Sequence, residues 1–212
     1  MRTRIPVLTV LAAALLASQA APARATLATE VELPAMTEYA DLIVRGAVEK
    51  RRTTNEGGHL YTQVTVRVRE VHKGVVPADG VVVVRTLGGQ SGLLMERIDG
   101  EPTFALGDDV VLFLYRDGFY FRPQAMAQGK FDVRRDPVSR REYLSRDLSG
   151  ISFVTFAPDG HLTINHSDQA VTPATYTELV TTVRRQVART AMMRAAAARA
   201  VEIARAQVEV QR

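Results

Sequence analysis

The sequence of 212 residues contains no cysteine and no tryptophan. Without cysteine the chain forms no disulfide, has no thiol nucleophile and offers neither a thiolate metal ligand nor a cysteine for lipid attachment. The hydrophobic core alone must therefore stabilise the fold. A content of 46% apolar residues is sufficient for one domain with short appendages.

Motifs for catalysis and for cofactor binding are also missing from the sequence. The segment Gly89–Leu93 is close to the nucleophile elbow G-x-S-x-G, but its second glycine comes one position early and no helical pattern follows. There is no P-loop, dinucleotide-binding fingerprint or EF-hand loop. The four histidines lack H-x-H and H-E-x-x-H spacing; they are His59, His72, His161 and His166. We therefore predict no catalytic residue, no metal and no cofactor.

The positive charge is concentrated at the two ends of the chain. The net charge is +4, but residues 1–25 contribute +3 and residues 172–212 contribute +4, so residues 26–171 carry −3. A domain that binds nucleic acid usually presents a basic face. We therefore expect no nucleic-acid partner for the main domain.

Residues 1–25 have the layout of a secretory signal peptide. Two arginines precede the uncharged segment Ile5–Ala17, and small residues lead to a cleavage site after Ala25, with a second one after Ala20. These 13 residues would form a helix of about 20 Å, too short for a hydrocarbon core of about 30 Å. The alternative is an uncleaved anchor. We expect a mature chain that begins at Thr26, has no transmembrane segment and resides in the periplasm or outside the cell.

Residues 26–171 predict a mainly β domain. Leu60–Val71 alternate apolar and polar residues, as a half-buried strand does, and Gly46 within the preceding apolar segment predicts a bulge or a bend. Asn55–Gly58 predicts a turn, and Gly88–Gly92 predicts a flexible loop. Further strands are expected at 81–84, 93–98, 110–115, 119–121, 130–135, 141–144, 151–156 and 161–164. This spacing favours a closed barrel or a sandwich, with additional β-hairpins.

The last 41 residues, 172–212, predict a long helix. Ala174–Arg212 contains neither glycine nor proline, Thr172 is a suitable N-cap and Pro173 suits the first helical position. An apolar stripe at helical spacing predicts that the first four turns pack on the β domain; it consists of Tyr176, Leu179, Val180, Val183 and Val187. The remainder would project, fray or contact a partner.

Three segments, in order, resemble the netrin-like module, the OB-type barrel of tissue inhibitors of metalloproteinases. Ala40–Val48 is similar to its first strand, Val66–Gly74 to its long strand ending in Lys-Gly, and Leu106–Leu114 to its later turn into an apolar strand. The match runs from about Glu38 to Phe121, and the arrangement is also similar to that of exported bacterial proteins. The resemblance implies an OB-like closed β-barrel over residues 26–171.

The resemblance also suggests where a partner would bind. In the inhibitors a mature N-terminal cysteine presents its amine and carbonyl to the protease zinc, whereas this chain has Thr26 at the predicted terminus and no disulfide to brace it. Loops on a rigid barrel commonly carry binding residues. The predicted partner contacts are Thr26, Asn55, Glu56, Gly88, Gly89, Gln90 and Ser91.

Three functional hypotheses remain open at this point. The first is a non-catalytic protein-binding or inhibitory module whose partner is another protein, such as an exported protease. The second is an envelope structural or assembly protein that acts through the C-terminal helix. The third is an enzyme whose site is assembled from distant loops, which a deep pocket gathering histidines or carboxylates would favour.

Overall fold

The computed structural model describes residues 26–166 and 175–210. The predicted signal peptide, Thr172 and Pro173 therefore lie outside the described residues. The elements, in chain order, are β1 Thr26–Ala28, α1 Leu33–Tyr39, β2 Leu42–Glu56, β3 His59–Lys73, β4 Val81–Leu87, β5 Gly89–Ser91, β6 Leu94–Glu96, β7 Asp109–Asp117, β8 Tyr120–Pro123, a 3-10 turn Met126–Gly129, β9 Lys130–Arg135, β10 Glu142–Ser145, β11 Ile151–Phe156, β12 Leu162–His166 and α2 Tyr176–Val210. The predicted mainly β class with a long C-terminal helix is confirmed.

Seven strands form the main sheet, in the order β10-β9-β7-β2-β3-β4-β8. Strand β8 also pairs with β7, so the pairings of β7, β2, β3, β4 and β8 run in a ring. The β4–β8 contact, at Val84 and Phe121, is parallel and the other pairs of this sheet are antiparallel. Outside the ring, β11 pairs with β12 and with β1, and β5–β6 forms a separate hairpin. The antiparallel pairs β9–β10 and β11–β12 are additional hairpins that the sequence predicted.

Strands β2 and β7 are buried on both faces, because each lies between two hydrophobic clusters. Leu42, Val44 and Leu112 face the cluster inside the ring. Ile43 and Phe113 face the opposite cluster, which includes residues of α1 and α2. Burial on both faces explains why the first half of β2 and most of β7 are largely apolar, whereas β3, half-exposed, alternates.

The bulge predicted at Gly46 is confirmed. The register between β2 and β3 shifts between Arg45 and Gly46. A Cβ atom at position 46 would lie 2.4 Å from the carbonyl oxygen of Arg67, so the approach of the two backbones requires glycine there.

Helix α2 has a docked half and an exposed half. Leu179, Val180 and Val183 are buried against α1, β7 and β10, as the apolar stripe predicted. The helix is capped at Thr175, because its hydroxyl accepts from the Glu178 amide at 3.3 Å and Glu178 accepts from the Thr175 amide at 3.1 Å, a capping box. Every residue from Ala191 to Ile203 is exposed. Within the described ranges, no helix is long and apolar enough to cross a membrane.

Two predicted loops are strands instead. Strand β2 continues through Asn55 and Glu56, which pair with Leu60 and His59, so only Gly57 and Gly58 form the turn. The segment predicted as a flexible loop, Gly88–Gly92, contains β5, which pairs with β6. Both predictions were wrong for the same reason. These strand residues are polar or glycine, so they have no apolar pattern, and backbone pairing with neighbouring strands holds them in place.

Candidate functional site

A groove of about 520 Å³ opens beside the β5–β6 hairpin, near the turn that joins β2 to β3. Its floor carries Thr53, Thr62 and Thr86, one residue from each of β2, β3 and β4. One wall is the β5–β6 hairpin, and the other is the loop 97–104. Three neighbouring strands therefore supply a rigid floor, and two connecting segments supply the walls.

The threonine hydroxyls of the floor form a hydrogen-bonded row. The Thr62 hydroxyl donates to the carbonyl of Gly88 at 2.8 Å, and it lies 3.1 Å from the Thr53 hydroxyl. Because a hydroxyl has one hydrogen, Thr53 must be the donor in the second contact. Thr86 donates to the Thr62 carbonyl at 3.5 Å. The floor is thus polar but internally satisfied, which suits contact with a partner at little desolvation cost.

The β5–β6 hairpin is fixed to β3 at both of its ends. The Gly88 amide donates to the Leu60 carbonyl at 2.7 Å, and the Leu60 amide donates to Glu96 Oε2 at 2.6 Å. The same Leu60 amide lowers the pKa of Glu96, with a smaller contribution from His59. Gly89 packs so closely on the floor that an added Cβ atom would lie 2.3 Å from Thr62 Oγ1.

The opposite wall is also held by polar contacts. Arg51 Nη1 donates to the Phe104 carbonyl at 2.7 Å, and Phe104 itself is buried in the ring cluster. Glu101 accepts from Arg122 Nη2 at 3.1 Å. Burial raises the pKa of Glu101 even though Arg122 opposes the rise. Glu96 and Glu101, one on each wall, are therefore both engaged in contacts that hold the walls in place.

An exposed apolar tip adjoins the groove. The tip consists of Leu93, Leu94 and Met95; Leu93 is fully exposed, and Leu94 and Met95 are 59% and 76% exposed. Met95 also lines the groove. Three consecutive exposed apolar side chains on a braced hairpin form a surface suited to association with another protein.

The structure brings most of the predicted partner contacts to this end of the sheet. Gly88, Gly89 and Gln90 line the groove, and Ser91 ends β5. Asn55 and Glu56 end β2, beside the turn, and Glu56 accepts from Arg85 Nη2 at 2.6 Å.

Thr26 lies apart from the groove lining. Its amide donates to the Gly150 carbonyl at 3.0 Å, and it pairs with Ile151 in the parallel β1–β11 contact. Its hydroxyl donates to the Asp99 carbonyl at 2.5 Å, so it contacts the loop that forms one wall without lining the groove. Both polar groups of Thr26 are thus engaged in holding β1.

Sequence reasoning missed the threonine row, Arg51 and the apolar tip. The threonines lie 9 and 24 residues apart in sequence and meet only through strand pairing. The sequence does contain an indication of the apolar tip, because Leu93-Leu94-Met95 directly follows a glycine-rich segment. The pattern instead led to the prediction of a longer strand over 93–98. Strand β6 covers only Leu94–Glu96.

A second cluster of charged side chains surrounds Arg45, where α2 packs on the sheet. Arg45 donates to both carboxylate oxygens of Asp109, at 3.2 and 2.8 Å, and to both of Glu142, at 2.9 Å each. Its guanidinium lies 4.4 Å from the ring centre of Tyr176, whose hydroxyl donates to Glu70 at 2.8 Å. Arg45 lowers the pKa of Glu142 to about 2, while burial and Glu70 raise that of Tyr176 to about 12. The cluster joins β2, β3, β7, β10 and α2, and every charge in it is paired.

Over residues 26–166 and 175–210, no group of three or more histidine, aspartate or glutamate side chains is placed to hold a metal ion. A scan against protein-family models finds no match for this chain, and neither does a search of curated proteins.

Proposed function

We propose that the protein is an exported, non-catalytic module that binds a partner protein at the β5–β6 groove. One observation carries the proposal: the apolar tip, Leu93–Met95, is exposed while the hairpin bearing it is fixed to β3 by backbone and carboxylate hydrogen bonds. A fixed apolar projection beside a polar floor matches an interface with an apolar centre and a polar rim. Export rests on the signal-peptide pattern of residues 1–25.

A binding role suits the groove better than acid–base chemistry. Glu96 is bound by the Leu60 amide and Glu101 by Arg122, so each carboxylate is already engaged within the protein. A general acid or base needs to reach a substrate proton directly or through one water. The polar groups of the groove therefore serve to hold its shape.

We further propose that the five-strand ring is an OB-like barrel of the netrin-like kind. The order β2-β3-β4-β8-β7 and its parallel β4–β8 contact support this assignment. Proteins of the OB fold bind ligands on the face of their second and third strands and on adjacent loops. In this chain those strands are β3 and β4, which carry Thr62 and Thr86 of the groove floor.

The proposed partner contact is the groove rather than the terminus at Thr26. In the netrin-like inhibitors the N-terminal residue contacts the protease, but the nitrogen of Thr26 already donates to Gly150. An exported protease remains a partner suggested by the resemblance. A panel of exported proteases, assayed with and without the protein, tests this narrower proposal separately from binding itself.

Affinity capture from periplasmic and culture fractions tests the binding proposal. We expect the wild-type chain to retain a defined protein. The triple variant L93S/L94S/M95S should retain at least tenfold less of that protein, since interface anchors commonly contribute more than about 1 kcal/mol each. The control F119S/V138S removes two equally exposed apolar side chains from other turns and should retain the partner. Equal recovery by the wild type and the tip variant would reject the proposal.

A further inference from the structure

The exposed half of α2 forms one wall of a second groove, and α1 forms the other. We propose that a second copy of this chain occupies this α1–α2 groove, with the two α2 helices antiparallel about a two-fold axis. The inference goes beyond the proposed partner contact at β5–β6, and it concerns different residues.

The α1–α2 groove has a volume of about 650 Å³. Glu32, Ala35 and Glu38 lie on the α1 side, and Arg189, Met193 and Arg194 lie on the α2 side. Met193 is 63% exposed, and the neighbouring Met192 is 72% exposed. The lining combines apolar and charged side chains, and a groove between two helices can receive another helix.

The exposed half of α2 carries apolar residues on more than one side of the helix. At about 100° per residue, the docked stripe from Tyr176 to Val187 continues at Arg194, Ala198 and Val201. A second set of exposed apolar residues lies about 100–180° from that stripe; the set is Met192, Met193, Ala196, Ala200 and Ile203. These residues cannot face the protein's own core, so their burial requires another chain.

The charges of the groove are self-complementary. Glu32 and Glu38 are exposed on the α1 wall, and Arg189 and Arg194 are exposed on the α2 wall. None of the four has an ion-pair partner among the described residues. In an antiparallel pair about a two-fold axis, the acidic α1 wall of one copy faces the basic edge of α2 of the other, twice over. An isologous interface requires this matching of a surface with itself.

The composition of the exposed half of α2 favours a helix over a lipid surface as its occupant. Alanine is the commonest residue there, and its single methyl group removes little apolar area from water in a bilayer. Small residues, by contrast, allow two helix axes to approach closely. The segment Ala191–Val210 provides a paired length of about 30 Å.

Sedimentation equilibrium of two charge-reversed variants tests the proposal. We expect the purified wild-type chain to be a dimer at micromolar concentration. The variants R189E/R194E and E32R/E38R should each be monomeric, because each would oppose like charges across both contacts. Their equimolar mixture should form a heterodimer, in which both contacts are again attractive. The control R52E/R134E reverses two exposed arginines outside the groove and should remain a dimer.

Circular dichroism of each variant establishes that a monomeric result reflects dissociation and not unfolding. A wild-type chain that stays monomeric up to 0.1 mM would overturn the proposal, because a dimer with a Kd of about 1 µM would be mostly formed at that concentration. So would a wild-type dimer that both charge-reversed variants retain, or variants that stay monomeric when mixed. Co-sedimentation of a monomeric wild type with anionic phospholipid vesicles would assign the face to lipid instead and would also overturn it.

Discussion

Arg45 is the residue on which the charged groups under α2 converge. It is 9% exposed and contacts two carboxylates in bidentate geometry, while the ring of Tyr176 covers its guanidinium. Arginine suits this position because its planar fork satisfies several acceptors at once. The hydrogen bonds to Asp109 and Glu142 raise the pKa of Arg45 further, so it stays charged at every pH at which the protein folds.

At the residue scale, replacing Glu142 should change how stability depends on pH. The pKa of Glu142 is about 2 in the fold and 4.5 without it, so its ion pair stabilises above pH 4.5 and is lost as the pH falls toward 2. We expect E142Q to lower the free energy of unfolding at pH 7 by on the order of 2 kcal/mol, and this difference should shrink to near zero at pH 2. Urea unfolding of the wild type and of E142Q at a series of pH values measures this difference in free energy.

The variant E49Q is the matched control for E142Q. Glu49 also pairs with an arginine, Arg67, but both residues are exposed, so its removal should lower the free energy of unfolding much less than E142Q does. If E142Q and the wild type lose stability in parallel between pH 5 and pH 2, the ion pair with Arg45 does not contribute as described.

Sequence patterns could not have identified this cluster. Asp109 and Glu142 lie 64 and 97 residues from Arg45, and neither position carries a motif. Asp108 and Asp109 are adjacent but have different partners. Asp108 accepts from the Ala105 amide in the turn before β7, whereas Asp109 begins β7 and accepts from Arg45.

At the element scale, the β5–β6 hairpin is held by its surroundings rather than by its own sequence. Strand β5, Gly-Gln-Ser, has low strand propensity and no apolar residue to bury. Its position depends on the bonds of Gly88 and Glu96 to Leu60 and on the close contact of Gly89 with the threonine row. The apolar alternation of β3 was visible in sequence because β3 faces the core; β5 had no such signal.

Substitution of Gly89 tests whether its close contact with the threonine row positions the apolar tip. The φ angle of Gly89 is +137°, and an added Cβ would lie within 3 Å of Thr62 and Thr53, so G89A should displace the hairpin at a cost of about 1–3 kcal/mol. Hydrogen exchange at the β5 and β6 amides should accelerate at least tenfold, while exchange in β2 and β7 stays unchanged.

Gly92 provides the control within the same hairpin. Its φ is +61°, and an added Cβ would have no atom within 4 Å, so G92A should cost only the backbone strain of about 1 kcal/mol. Equal protection of the β5 amides in G89A and in the wild type would show that the close contact with the threonines does not hold the hairpin.

At the scale of the whole molecule, composition and periodicity predicted the class of the fold but not the two grooves on its surface. The mainly β body, the bulge at Gly46 and the docked half of α2 follow from local pattern, because each buries a recognisable apolar face. The β5–β6 groove arises from segments distributed along the chain from Arg51 to Asp147. The α1–α2 groove joins the two ends of the described chain. Such juxtapositions depend on topology, which periodicity does not encode.

Photo-crosslinking in the living cell tests the central claim most directly. A photoreactive phenylalanine derivative at Leu94, in the apolar tip, should give one discrete crosslinked product with a second protein. The same group at Val138, which is 90% exposed on a different turn, should give none. A tip that yields no product, or the same products as Val138, would contradict the account of β5–β6 as a partner-binding surface.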